Sequence, residues 1–233
     1  VTGVMLITGT RKGIGHSLAQ SYLEEGWQVV GCSRGRASIE HKNYTHFQLD
    51  VASEQDVVNM IRTVKKQSGP IDVLLNNAGM AAMNHILTTT YDKARSVFDT
   101  NFFGTFLFSR EVGKQMMRNK KGCIINYSTI AVPLNLEGEA VYAASKAAIE
   151  SFTKISAKEL GRFGIRVNAI GPTPVQTDLV KQVPEEKINV LLDAQIIKRF
   201  GTAQDIKNTI DFLISDKSDF ITGQVLYLGG VSQ

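Results

Sequence analysis

The chain has 233 residues, 43% of them hydrophobic and 21% charged, with a formal net charge of +4; that length can bury a substantial core, and the balance excludes a disordered or fibrous protein. Its cations are dispersed, and the densest run, Arg118–Lys121, has no interleaved aromatic residues, so no nucleic-acid surface is expected. No apolar stretch approaches the ~18 residues that span a bilayer, and no secretory leader pattern is present, so a soluble, cytoplasmic protein is expected.

In chain order, Val4–Thr8 reads as a short strand running into a glycine-rich segment. A helical pattern follows over Ile14–Glu25, with Ile14, Leu18, Ala19, Tyr22 and Leu23 on one face and Gly26 as its stop. Gln28–Cys32 and His46–Asp50 are the next strands, Val57–Lys66 a helix, and Val73–Asn76 a fourth strand. Tyr91–Asn119 is a long helical stretch with a break near Asn101. Gly122–Ser128 is a strand, Tyr142–Phe163 a helix, and Arg166–Ile170 a strand. Thr173–Lys198 is polar with helical segments, Ala203–Leu213 is a helix, and Val225–Leu228 is the last strand. Strands alternating with helices predict one doubly wound, Rossmann-type parallel α/β sheet of about seven strands, covered by helices on both faces. Cys32 and Cys123 flank apolar runs and read as small buried hydrophobes, not a disulfide or metal pair.

At the first strand end stands Gly9-Thr10-Arg11-Lys12-Gly13-Ile14-Gly15. Glycines let backbone turn tightly and approach a pyrophosphate, and the following helix start offers N–H groups to it. The spacing is GxxxGxG, and Ile14 occupies the place where a Walker loop needs lysine. Taken alone, the trio also suits an ordinary tight turn. In a dinucleotide fold, an acidic residue at the end of the second strand binds the ribose of NAD. Here that end reads Cys32-Ser33-Arg34. Ser33 removes the carboxylate that would repel a 2′-phosphate; Arg34, Lys12 and Arg11 can pair with one, so NADP(H) is the expected cofactor.

With Asp50-Val51, Asn76-Asn77-Ala78-Gly79, Asn101, Tyr142-Ala143-Ala144-Ser145-Lys146, Arg166-Val167-Asn168-Ala169 and Ile221-Thr222-Gly223-Gln224 in this order, the chain resembles the short-chain dehydrogenase/reductase family over essentially its whole length. Within that family it is similar to the 3-oxoacyl-carrier-protein reductases, for which Arg118–Lys121 is a candidate carrier-docking patch. The resemblance implies that Asp50 and Val51 contact the adenine side, and that Asn77, Ala78 and Gly79 line the cofactor. It implies that Asn76 mainly supports neighbouring strands, and that Asn101 supports a water bridge to the lysine. Pro172, Val175 and Thr177 fall where the family contacts the nicotinamide. It further implies a homodimer or homotetramer built on the two long helices.

The chemistry can be checked from the residues themselves. Tyr142 and Lys146 are four apart, so a helix sets them on one face. Carbonyl reduction needs an acid for the developing alkoxide, and a neighbouring ammonium favours phenolate. A shift of ~3 units from the usual tyrosine pKa needs about 4 kcal/mol. Alone, the pair also suits an exposed helix. The family has a serine thirteen positions before its tyrosine; here that position is Thr129, preceded by Ser128, so Thr129 is the expected substitute and Ser128 the alternative. Pro172-Thr173-Pro174 stands where relatives often have Pro-Gly, stiffening the turn. The segment 173–198 is expected to form a lid over a small carbonyl or alcohol substrate. The competing reading is a non-catalytic NADP(H)-binding redox sensor or partner platform.

Overall fold

A computed structural model describes residues 3–175 and 185–231. Seven strands form one all-parallel sheet: β1 (Val4–Thr8), β2 (Gln28–Ser33), β3 (Tyr44–Gln48), β4 (Val73–Asn76), β5 (Gly122–Tyr127), β6 (Ile165–Gly171) and β7 (Val225–Tyr227). Their order is β3-β2-β1-β4-β5-β6-β7. The chain winds outward from β1 to β3, then returns to β4 on the other side of β1. The connections after β1 and β4 therefore leave in opposite directions and open a crevice at the carboxyl ends of these strands.

Strand side chains alternate between two cores. In β1, Val4 and Leu6 join one core while Met5 and Ile7 join the other; in β4, Leu74 and then Val73 with Leu75 divide the same way. Both faces are covered, which is why these strands read as unbroken apolar runs. The first core is closed by α2 (Glu54–Gln67) and α4 (Gly104–Asn119), the second by α1 (Gly13–Glu24) and α8 (Ala203–Ile214). Fully buried side chains such as Phe108, Met116 and Leu18 each contribute about 1.5–3 kcal/mol relative to exposure.

The remaining helices are α3 (Tyr91–Phe98), the four-residue α5 (Ala131–Leu134), α6 (Ala140–Gly161) and α7 (Glu185–Asp193). The break anticipated near Asn101 is a π-helical segment, Asp99–Phe103, that joins α3 to α4 without a gap. The third strand begins two residues before the expected His46 and ends two before Asp50. It is an edge strand with no fully buried residue, so its position is set by pairing with β2, from Val29↔Tyr44 to Ser33↔Gln48, and its own apolar pattern is weak. Among the described residues, no helix is long and apolar enough to cross a membrane. Cys32 and Cys123 are buried free thiols.

Candidate active site

The glycine loop runs from β1 to α1. Backbone N–H groups of Gly9 and Thr10 donate to the Cys32 carbonyl at 2.9 and 3.2 Å, folding the loop over β2. Gly9 sits at φ +77°, a left-handed value that a side chain would strain. At Gly15 space is decisive: an added Cβ would stand 2.5 Å from the Gly9 carbonyl oxygen and also strike the Asn77 amide. Gly13 opens α1, followed by the half-buried Ile14, while Thr10 is buried and Arg11 and Lys12 are exposed.

The start of α1 has no side-chain cap and no acidic residue in its first turn. α3 and α8, by contrast, are capped by Thr90 and Thr202. An uncapped helix start behind a glycine turn presents N–H donors to an anion, so these residues fit the pyrophosphate of a dinucleotide. At the end of β2, Ser33 is half-buried and Arg34 exposed. Asp50 is exposed, its carboxylate accepting from the Ala52 N–H at 3.0 Å, and Val51 is buried. After β4, the Asn77 amide donates to the Thr8 carbonyl at 2.8 Å, and the Ala78 N–H donates to the Thr8 hydroxyl at 2.9 Å. These bonds bind the two strand ends that border the crevice. Asn76 lies beneath, donating to Asn126 at 2.8 Å and Ser109 at 2.9 Å, and so ties β4 to β5 and α4.

The wide turn of the π segment buries Asn101. Its carbonyl oxygen accepts from the Met80 N–H at 2.8 Å, and its amide donates to the Met80 carbonyl and the Ser145 hydroxyl, each at 3.0 Å. Asn101 thus joins the loop after β4 to α6. Gly79 lies between: a Cβ placed there would be 3.4 Å from the Asn101 oxygen and 3.6 Å from Lys146 Nζ.

Helix α6 carries three functional side chains at i, i+4 and i+8. The Tyr142 phenol stands beside the Thr129 side chain, which lowers its pKa. Lys146 Nζ donates to the Tyr127 carbonyl at 2.7 Å. Glu150 accepts a short hydrogen bond from Ser128 and a second, at 2.7 Å, from Tyr227. Three consecutive residues, Tyr127 at the end of β5 and then Ser128 and Thr129, therefore face one stripe of the helix. Thr129 and Ser128 point to different places, the first to the phenol and the second into the buried carboxylate.

The pKa values diverge. Burial, then the Glu139 charge, push Tyr142 up to about 12, against a smaller lowering by Thr129. Burial pulls Lys146 down to about 8. At Tyr142 desolvation outweighs the lowering influence, and the Lys146 ammonium donates to the Tyr127 carbonyl. The phenol is therefore held as an acid at neutral pH.

Pro172 accepts from the Ile130 N–H at 3.4 Å, and Val175 is buried, bridging Gly201. Thr177 lies outside the described residues. A cavity of about 450 Å³ opens on the α8 side of this turn, lined in part by Thr173, Val175, Ile206 and Tyr227. Thr129, Tyr142 and Lys146 are not among the residues that line it. Sequence reasoning missed Glu150 and Tyr227; Glu150 was detectable, standing four positions beyond Lys146 on the same helix face.

A family model described as enoyl-(acyl carrier protein) reductase matches residues 9–231. The chain belongs to this short-chain dehydrogenase/reductase family. A relative named 3-oxoacyl-[acyl-carrier-protein] reductase FabG, from Staphylococcus epidermidis (strain RP62A), is 37% identical over 235 residues, covering 97% of this chain and 96% of its own. Two solved structures share the fold closely. 4-Hydroxyisoleucine dehydrogenase complexed with NADH superposes with a TM-score of 0.88 at 29% identity, covering 98% of both chains. ElxO with NADP bound gives a TM-score of 0.89 at 29% identity, covering 98% of this chain and 97% of its own.

Proposed function

We propose that this family member interconverts a carbonyl and a secondary alcohol on a small organic substrate with NADP(H), and that 3-oxoacyl thioesters are its first candidates. The observation that carries the reading is the Tyr142 phenol standing beside the Thr129 side chain, with the buried Lys146 amine one turn further along the same helix. A nicotinamide dinucleotide, when bound, supplies or accepts the hydride. Gly9–Gly15, Ser33, Arg34, Asp50, Val51, Asn77–Gly79, Lys146, Pro172 and Val175 are the residues that would hold it.

The protein's own work is binding and proton transfer. Thr129 and Tyr142 offer two hydroxyl donors to one substrate oxygen, and Tyr142 gives its proton to the alkoxide that develops there. Lys146 stabilises the resulting phenolate. Asn101, by fixing the loop after β4 against α6, keeps the lysine side of the crevice in shape. The preference for the phosphorylated dinucleotide is supported by the absence of a carboxylate at the end of β2 and by the cations Arg11, Lys12 and Arg34 around it. The solved relatives differ here, one carrying NADH and another NADP. The relative named for 3-oxoacyl reduction supports the acyl substrate class.

The segment 173–198 is read as the substrate lid. Its two ends are tied down by the bridges Val175↔Gly201 and Gln195↔Val231. Assembly as a dimer or tetramer through α4 and α6 is supported by Met117 and Ile155, which are 40% and 54% exposed on those helices; light scattering at micromolar concentration checks it. Similarity to the 3-oxoacyl-[acyl-carrier-protein] reductase supports a cytoplasmic enzyme. A sensor lacking turnover is disfavoured by the retained hydroxyl of Thr129.

The deciding experiment follows NADPH absorbance against a carbonyl panel that includes 3-oxoacyl thioesters, with NADH in parallel. Turnover by the wild type and its loss in Tyr142→Phe is the expected result. Tight NADPH binding without turnover on any carbonyl would overturn it in favour of a sensor.

A further inference from the structure

Beneath the rim of the dinucleotide crevice runs a chain of hydrogen bonds between segments far apart in sequence. The Thr10 and Tyr44 hydroxyls are 2.7 Å apart. Tyr44 Oη lies 2.9 Å from His46 Nδ1, and His46 Nε2 lies 3.1 Å from the Gly35 carbonyl oxygen. Ser33 donates to the same carbonyl at 3.0 Å.

The polarity of this chain follows from its last member. A carbonyl oxygen only accepts, so the bond to Gly35 needs its hydrogen on His46 Nε2, with the Ser33 hydroxyl 3.2 Å from the same nitrogen, and in that arrangement Nδ1 can accept. Tyr44 then donates to Nδ1, and its oxygen accepts from Thr10. Every group is satisfied in one direction. Room for the chain is made by Gly31, where a Cβ would strike both the Thr10 and the Tyr44 hydroxyl oxygens.

Its two ends matter. Thr10 belongs to the glycine loop, and Gly35 closes the turn that carries Ser33 and Arg34. The Arg11 side chain lies along Gly35, since a Cβ there would come within 2.9 Å of its Cδ, Nε and Nη1. The height of the Gly35 backbone therefore sets where two guanidinium groups stand. His46 is half-buried below them and holds that backbone by its carbonyl.

We infer that His46 is a specificity-determining positioning residue: by fixing Gly35 it holds the Ser33–Gly35 turn and Arg11 in the arrangement that receives the dinucleotide's 2′-phosphate. This rests on the NADP(H) reading above. His46 touches no ligand itself. Replacing its ring with an apolar side chain leaves the Gly35 carbonyl with the Ser33 hydroxyl alone and loosens the turn, which costs the contacts unique to the phosphorylated dinucleotide and leaves the shared pyrophosphate contacts in place.

The test is calorimetric titration of the full chain with NADPH and with NADH, for wild type, His46→Leu and His46→Gln, with thermal melting to check folding. His46→Leu is expected to raise the NADPH Kd about tenfold while moving the NADH Kd less than about twofold. His46→Gln, whose amide offers N–H donors and a carbonyl acceptor, should restore most of the loss. Should His46→Leu fail to fold, Tyr44→Phe serves: it strips the donor that fixes the tautomer, and NADPH should weaken about threefold with NADH unchanged. Equal weakening of both dinucleotides, or no change in either, overturns the inference. A wild type that binds NADH as well as NADPH overturns the cofactor reading itself, an outcome visible before any variant is made.

Discussion

The side chain of Thr129 stands beside the phenol of Tyr142 and lowers its pKa, while the adjacent Ser128 hydroxyl turns inward to Glu150. Two neighbouring hydroxyls thus have different work, although by spacing alone either could serve the substrate. Thr129→Val keeps the shape and removes the donor, so kcat/KM for carbonyl reduction should fall about 10²-fold. Thr129→Ser should retain activity. Ser128→Ala leaves the Glu150 carboxylate short of a partner and should cost about 1–3 kcal/mol of stability in urea melts, with a much smaller effect on turnover. The reverse pattern, loss of rate from Ser128→Ala alone, would assign the substrate oxygen to Ser128.

Tyr142 at about 12 stays protonated well above the neutral range, whereas Lys146 loses its proton at about 8. The rate of reduction should therefore decline as pH rises through about 8, where the ammonium that supports the phenolate is lost. Lys146→Arg stays charged, so any residual activity should lack that limb. Tyr142→Phe should lower kcat by about 10²–10⁴-fold while NADPH binding persists. Rate profiles from pH 6 to 10, with binding measured separately, decide the matter.

Burial also makes Lys146 a stability term. Its pKa falls from 10.5 in the unfolded chain to about 8 in the fold, so between those values the unfolded state holds one proton more. Stability rises with pH in that window. Below about 8 the buried charge costs the fold about 3 kcal/mol relative to alkaline solution. Comparison with Lys146→Met cancels the other groups: the wild type should gain about 3 kcal/mol on the variant between pH 8 and 10.5. A flat difference between the two denaturation curves contradicts this account.

Gly15 is closed to a methyl group by the Gly9 carbonyl and the Asn77 amide. Gly15→Ala must push the loop away from the end of β4, and with it the N–H donors of α1. Dinucleotide affinity should drop by at least about tenfold, roughly 1.4 kcal/mol, with little change in melting temperature. Unaltered affinity in a titration would show that the loop yields without consequence for the ligand.

The alternation of apolar runs and helical periods was enough to give the sheet, its helices and the glycine loop, because each is a local pattern fixed by burial on one or both faces. Tyr142 and Lys146 were legible for the same reason: a four-residue step on a helix fixes two side chains on one face. The bounds of β3 were not, since an edge strand takes its position from its neighbour's backbone. Nor were Glu150, Tyr227 or His46 recognised, because their partners lie 22, 77 and 11 residues away. Which hydroxyl meets the phenol, and whether burial or charge governs its proton, depend on distances and desolvation that arise only when β5, β7 and α6 pack together. Sequence set which groups are available; the packing decided their partners and their charge.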